Sequence, residues 1–565
     1  MAAAALFGAF ALFAAVSSLW AVDAGHALVE AIRVLGYAGL FVLVVLASAR
    51  GEARSWLVGL GLGLVAIAAL ACMSRMLPSV FGEPVTAEFL QSARSRLSYP
   101  LGYWNALGAA MALAILLMAW LSAEGTSRLG RAAAGAALPI PVLGVFLTSS
   151  RGAVLGVAVG LVVMLAIADR RERLLAALLP GSIAGAGLIL VALPQDAFLD
   201  ADRGATASSQ GRVMLLAALV AAALAGCARY LLDGPISRFR VPGRLQAGVA
   251  VVVALGLASA VVAVGPVDKL DSFKDASSLR EAPQRGLVKS HITSTGGGGR
   301  YQFWKAAWQG FEHRPVAGLG EGGYESWWAQ HGSISYYLRN AHSLPLETLA
   351  ELGLIGALLL AGGFGVALFA GVRNRRPHRA DVTAAAAVVA AGLACAAIDW
   401  TWQIAAAFAP VIVAAALLAG PALAGGRPLR SPFGWGLATL LFGWAALAVT
   451  AIVLASNGDL SQSRDAAKQG DLARASREAR RAQALTPWSS EPRLQLALVA
   501  ELDGDLKQAE RQIDEAIDRA PDDWRLWLVA ARIRSKAGDL ARARAALATA
   551  RDLNPRSPLL SPVRG

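Results

Sequence analysis

The chain has 565 residues, 56% of them apolar and only 16% charged, with a net charge of +13. So little charge in so long a chain excludes an ordinary soluble protein, in which about a quarter of residues would be charged. The positive balance does not mark a nucleic-acid binder, because no basic face interleaved with stacking aromatics lies on a soluble stretch.

The apolar residues gather in blocks of 17 to 25, long enough to cross about 30 Å of hydrocarbon at about 1.5 Å per residue. In chain order they place spans near 4–21, 28–48, 55–72, 103–121, 132–148, 152–168, 174–193, 213–228, 246–265, 346–371, 382–398, 403–424 and 433–455. The expected fold class is all-α, a polytopic bundle of about 12–13 transmembrane helices. The first block lacks the basic start of a cleaved signal peptide and is read as a retained helix. Cys72, Cys227 and Cys395 fall in or at the ends of spans, with neither metal-ligand spacing nor a disulfide partner, and read as packing residues.

Arginines gather on alternate connections: Arg50 and Arg54; Arg128 and Arg131; Arg170, Arg171 and Arg173; Arg229, Arg238, Arg240 and Arg244; Arg373, Arg375, Arg376 and Arg379; Arg427 and Arg430. The positive-inside rule puts these connections in the cytoplasm. The N-terminus is then inside, and the loops at 73–102, 194–212, 266–345 and 399–402 face out. An odd number of spans sends the C-terminal tail outside too. The expected organisation is spans 1–9 in 1–265, a large external loop at 266–345, spans 10–13 in 346–455 and an external tail at 456–565.

A soluble loop of about 80 residues between spans is uncommon unless it works. This one is dense in rings: Phe273, Tyr301, Phe303, Trp304, Trp308, Phe311, Tyr324, Trp327, Trp328, Tyr336 and Tyr337. They suit a surface that contacts carbohydrate or lipid, although Trp and Tyr also gather at membrane interfaces as an aromatic belt. From Arg300 to Phe311 the apolar residues recur at helical spacing, which predicts an amphipathic helix lying along the membrane surface, entered through Gly296–Gly299. Of six histidines, His291, His313, His331 and His342 fall in this loop, and only His342 immediately precedes a long span. Partial desolvation there would keep an imidazole neutral and able to accept a proton, though a structural histidine is the commoner reading on position alone. Glu321 and Glu325 read as a solvated loop face.

In the tail, Gly470-Asp471-Leu472, Gly504-Asp505-Leu506 and Gly538-Asp539-Leu540 recur every 34 residues, and Pro487, Pro521 and Pro555 keep the same interval. That period, with Ala-rich helices and a Gly-Asp turn, is the tetratricopeptide pattern. Such an array buries its apolar faces by stacking. It would offer a groove to a protein partner, or serve as a spacer folded on the membrane domain.

Five motifs stand in order around the loop. Ser149-Ser150-Arg151-Gly152-Ala153 opens a span; Gly299-Arg300-Tyr301-Gln302-Phe303-Trp304-Lys305 and Arg314-Pro315-Val316-Ala317-Gly318-Leu319-Gly320 follow; then come Ala341-His342-Ser343 and Glu351-Leu352-Gly353-Leu354-Ile355-Gly356. Over roughly 140–365 the set resembles the O-antigen ligase family, which includes lipopolysaccharide ligases, some O-antigen polymerases and protein O-oligosaccharyltransferases. The resemblance implies transfer of a glycan from an undecaprenyl-diphosphate carrier to an acceptor hydroxyl on a lipid, a glycan or a protein. The reaction would run at the outer face of the cytoplasmic membrane, without cofactor or required metal. It implies that Arg151 and Arg300 hold the diphosphate, that Trp304 stands in the substrate-binding motif, and that His342 is the base. Ser343 replaces the family's usual Asn.

The physical chemistry agrees with those roles. Arg151 breaks the positive-inside pattern, and an arginine beside hydrocarbon suggests an anionic partner. A planar guanidinium suits diphosphate oxygens and neutralises charge growing on the leaving group. Polymerisation of repeat units and attachment to protein are rivals within this chemistry. A flippase has a similar span count, but it would carry broken helices or buried charge at the midplane, and the spans hold few charges. A non-catalytic assembly factor working through the tail is a further rival.

Overall fold

The computed structural model describes residues 2–48, 53–81, 94–238, 271, 273–275, 288, 297–373, 378–420 and 433–560. Among these residues all regular structure is helical. Ten helices are long and apolar enough to cross a membrane, and Arg151–Ile167 and Ala405–Ala419 are apolar but shorter. Together these match every expected span except 246–265, which lies outside the described residues. The chain divides into two compact units.

One unit comprises Val44–Gly299 and Val366–Arg430. Its centre is the helix Trp104–Glu124, which is buried along nearly all of its length. Ala and Leu occupy all sides of this helix, so it has no polar face to turn outward and must be surrounded. The expected span at 132–148 is two helices, Arg128–Ala137 and Pro139–Thr148, because two prolines fall at the start of the second. At one end of the unit Arg229, 1% exposed, bonds Asp233 at 2.8 Å, and Arg131 reaches the same carboxylate at 2.6 Å. Cys72 and Cys395 are buried and meet backbone carbonyls, as packing residues do. Cys227 is exposed among the described residues.

The other unit comprises Met1–Leu43, Arg300–Gly365 and Ser431–Gly565. Its loop segment folds on a core of its own: Phe303, Ala306, Ala307, Tyr324, Trp328, Leu338, Ala341 and Ala350. The helix Arg300–His313 is present, but the apolar face expected on a membrane surface supplies Phe303, Ala306, Ala307 and Gly310 to that core. Trp308 remains 46% exposed. His26 lies in the first turn of the helix Ala24–Ala47.

The tail consists of helix pairs. Glu491–Asp503 packs with Leu506–Ile517, and Trp524–Lys536 with Leu540–Leu553. Each 34-residue motif makes the same turn: Gly470, Gly504 and Gly538 take positive φ, and Asp471, Asp505 and Asp539 cap the next helix by accepting a backbone N–H three residues on. The boundary expected at residue 456 is absent as a break. A single helix, Phe433–Lys468, runs through it, and its far end packs against Leu472–Leu485. Ser456 and Ser463, polar residues where a span would stay apolar, bond to that partner helix.

Candidate active site

The site is built on a broken helix. Leu344–Arg373 is interrupted at Gly353, whose backbone is non-helical at φ 62° and ψ −160°. Breaking a helix strands carbonyls before the break and N–H groups after it. The segment Pro315–Gly320 satisfies them: Leu319 and Gly320 donate to the carbonyls of Ala350 and Glu351, while Leu354 and Ile355 donate to those of Pro315 and Val316, all at 2.8–3.2 Å. The two backbones approach so closely that a Cβ on Gly353 would collide with the Val316 carbonyl, and one on Gly318 with Glu351. Two of the sequence motifs are therefore the two halves of one backbone joint.

That joint positions two buried carboxyl side chains one turn apart, Glu347 and Glu351. Glu351 accepts the N–H of Tyr324 at 3.0 Å. Glu347 accepts the Ala341 N–H at 2.6 Å and the Asn340 amide at 3.2 Å, and so grips the turn that carries His342. His342 sits at φ 54°, a left-handed conformation that costs a non-glycine residue roughly 1–2 kcal/mol. Its Nδ1 lies 3.0 Å from the Asn340 carbonyl, which can only accept, so Nδ1 carries the proton and the lone pair of a neutral ring is on Nε2.

The helix Arg300–His313 brings the second motif to the same place. Phe303, one turn from Arg300, packs against the His342 ring with centroids 5.4 Å apart. Trp304 donates from its indole nitrogen to the His342 carbonyl at 3.4 Å. Gly298 and Gly299 both take positive φ immediately before Arg300. Tyr336 stacks on Phe303 at 5.8 Å, and Arg300 is close enough to temper the rise that burial imposes on the Tyr336 hydroxyl pKa. His331 instead stacks on Trp327 at 3.8 Å, and His313 lies 5.3 Å from the same ring. His291 lies outside the described residues.

Arg151 belongs to the other unit. It is the first residue of the helix Arg151–Ile167, after Ser149 at φ 51° and Ser150, whose hydroxyl accepts the Ala153 N–H. Beside this turn Arg96 donates to the carbonyls of Thr148 at 2.9 Å and Ser149 at 3.0 Å and lies over the Trp104 ring. Among the described residues no group of three His, Cys, Asp or Glu side chains is placed to hold a metal ion.

Residues 203–361 match the family model described as O-antigen ligase. This segment is similar to the O-antigen ligase family. It takes in Arg300, Trp304 and His342 and leaves out Arg151. No curated protein sequence matches the chain. With its spanning helices, the O-antigen ligase segment supports glycan transfer by a membrane protein.

Three features of the O-antigen ligase segment and its surroundings escape the sequence reading. Arg96 had a usable signal, because like Arg151 it is an arginine at the end of a loop expected outside. Glu325, expected in solvent, is 9% exposed and meets Arg339 at 3.7 Å. Glu321 keeps some accessible surface, but protein surrounds it on most sides. That desolvation pushes its carboxyl up to about 7, against the pull of Arg33 and His26.

Gly353→Ala is expected to open the backbone joint, costing about 3 kcal/mol or more through strain and collision. Gly365→Ala, on the same helix with open space around it, should be neutral or up to about 1 kcal/mol stabilising. Thermal unfolding of the two purified variants reads the difference, and equal melting temperatures would mean that the joint carries no stability. Glu321 yields a pH dependence. Its raised pKa favours the neutral form in the fold, so the stability it lends is complete below about 4.5 and is lost as pH rises through about 7. The charges facing it are Arg33, His26, Glu347 and Glu351. Melting temperature should fall across that window, and Glu321→Gln should flatten the profile. An identical slope in both proteins would assign the dependence to another group.

Proposed function

We propose that the chain transfers a glycan from an undecaprenyl-diphosphate carrier to an acceptor hydroxyl at the outer face of the cytoplasmic membrane. What carries this reading is the His342 turn inside the O-antigen ligase segment: a ring anchored through Nδ1, with Nε2 as its basic atom, beside the helix that starts at Arg300. In the proposed step the acceptor oxygen attacks the anomeric carbon and Nε2 of His342 takes the hydroxyl proton. The bond from that carbon to the diphosphate oxygen breaks, and the electron pair leaves with the lipid diphosphate. Arg300 holds the growing charge, and Arg151 has the same role on its own motif. Each arginine opens a helix, where the helix dipole also favours an anion. Trp304 positions the His342 backbone. No cofactor and no required metal enter this scheme. The tail reads as a tetratricopeptide array lying outside with the loop.

With a lipid-diphosphate donor and chelator present, His342→Ala should lower transfer about 10²- to 10⁴-fold, the usual worth of a general base. His313→Ala and His331→Ala should keep most activity. Arg300→Lys should lose activity steeply, because the planar fork is gone, whereas Arg314→Lys should be tolerated. Full turnover by the His342 variant sinks the mechanism, and loss on chelation alone points to a metal. Sidedness has its own test. A reporter active only outside the cytoplasm, fused after Pro555, should be active, and activity of a cytoplasm-only reporter there would invert the tail.

A further inference from the structure

The last helix pair of the tail returns to the loop segment. Arg525 donates to the Tyr337 hydroxyl at 2.8 Å and lies 3.5 Å from Glu325, and Arg556 donates to the Gln330 carbonyl at 3.0 Å. Burial works against the Arg525 charge, but Asp523 and Glu325 more than offset it and hold its pKa above the ordinary value. Trp524 packs with Ala550 and Leu560 against Ala329. Between the two walls lies a cavity of about 380 Å³, within the roughly 300–1,000 Å³ usual for small-molecule sites. Four rings line it, Trp328, Tyr336, Tyr337 and Trp524, together with the charged groups of Glu325 and Arg525.

We propose that this cavity is a saccharide-binding subsite for the acceptor, formed jointly by the loop segment and the terminal repeat. Three observations point to a sugar. Flat rings interrupted by charged hydrogen-bonding groups match a pyranose, which has C–H faces and a rim of hydroxyls. Glu325 Oε1 accepts the Tyr337 hydroxyl at 3.1 Å with Arg525 3.5 Å away, which sets an acceptor and a donor side by side at the wall, as a sugar hydroxyl requires. The cavity is also linked to the proposed base through two rings: Tyr336 lines it and stacks on Phe303, which packs against His342. The acceptor assignment rests on the glycan-transfer reading; the saccharide assignment rests on the cavity.

Saturation-transfer difference NMR on the purified full chain in detergent tests this, with glucose, galactose, N-acetylglucosamine and N,N′-diacetylchitobiose as probes. At least one should receive saturation from the aromatic protons. Ser335→Trp and Leu559→Trp, exposed positions on opposite walls, fill the cavity without removing packing. Each should weaken binding about tenfold or more, the loss expected when a ring contact and its neighbours are displaced, with an unchanged melting temperature. In transfer assays with a saccharide acceptor, the same variants should raise the acceptor KM and leave kcat nearly unchanged. No saturation of any probe, or a signal indifferent to both fillers, overturns the subsite. Binding that appears only after removal of residues 561–565 also overturns it, since the chain's own end would then be the occupant. Sugar binding that responds to the fillers, in a protein without transfer activity, removes the mechanism and keeps the saccharide site.

Discussion

The backbone joint between Pro315–Gly320 and the opened turn at Gly353 sets the geometry of the candidate site. A helix that spans a membrane satisfies its own polar groups, and opening it leaves several that cost a few kcal/mol each if unpaired. Here the four exposed groups are taken up by one short loop segment, which holds that segment in place. Because Gly318 lies against the backbone of Glu351 and Gly353 against that of Val316, the joint has little freedom to slide. Everything described around His342 follows from it: Glu351 fixes Tyr324, Glu347 fixes the 340–341 turn, and the strained φ of His342 is held by those bonds.

How the histidine is held has a chemical consequence. A base that must accept a proton needs one defined tautomer, and the Asn340 carbonyl supplies it. The same residues leave little room for an alternative, since Phe303 packs against one side of the ring and Trp304 bonds its carbonyl. His313 and His331 have a different environment, paired with Trp327 away from this turn.

Much of this was legible in the sequence, and the parts that were not share a cause. Apolar blocks long enough to cross hydrocarbon can hardly be anything else, so the spans read directly. The repeat turns read directly too, because Gly and Asp are required by positive φ and by capping. The motifs of the loop were visible as motifs, but nothing local said that the 314–320 run and the 351–356 run are partners. That pairing is a tertiary fact. The burial of Glu325 is likewise set by Arg525, about two hundred residues away in sequence. The helix face from Phe303 to Gly310 looked amphipathic because it is; the sequence could not say that protein rather than lipid covers it. The apparent boundary at 456 came from hydropathy, which falls as soon as a helix leaves hydrocarbon even when the helix itself continues.

That continuity decides how the tail is best understood. A repeat array hung on a flexible linker would be free to recruit partners at a distance, its position set only by linker length. Here the first helix of the array is the end of a spanning helix, and the last pair is tied to the loop by Arg525 and Arg556. The array is therefore anchored at both ends within one unit. A chain fixed in this way has lost the freedom to move relative to the loop, and it presents a wall to it. Of the two readings open from sequence, a partner groove and a spacer folded on the membrane domain, this anchoring favours the second. It also extends it, because the same wall closes the cavity that Tyr336 lines.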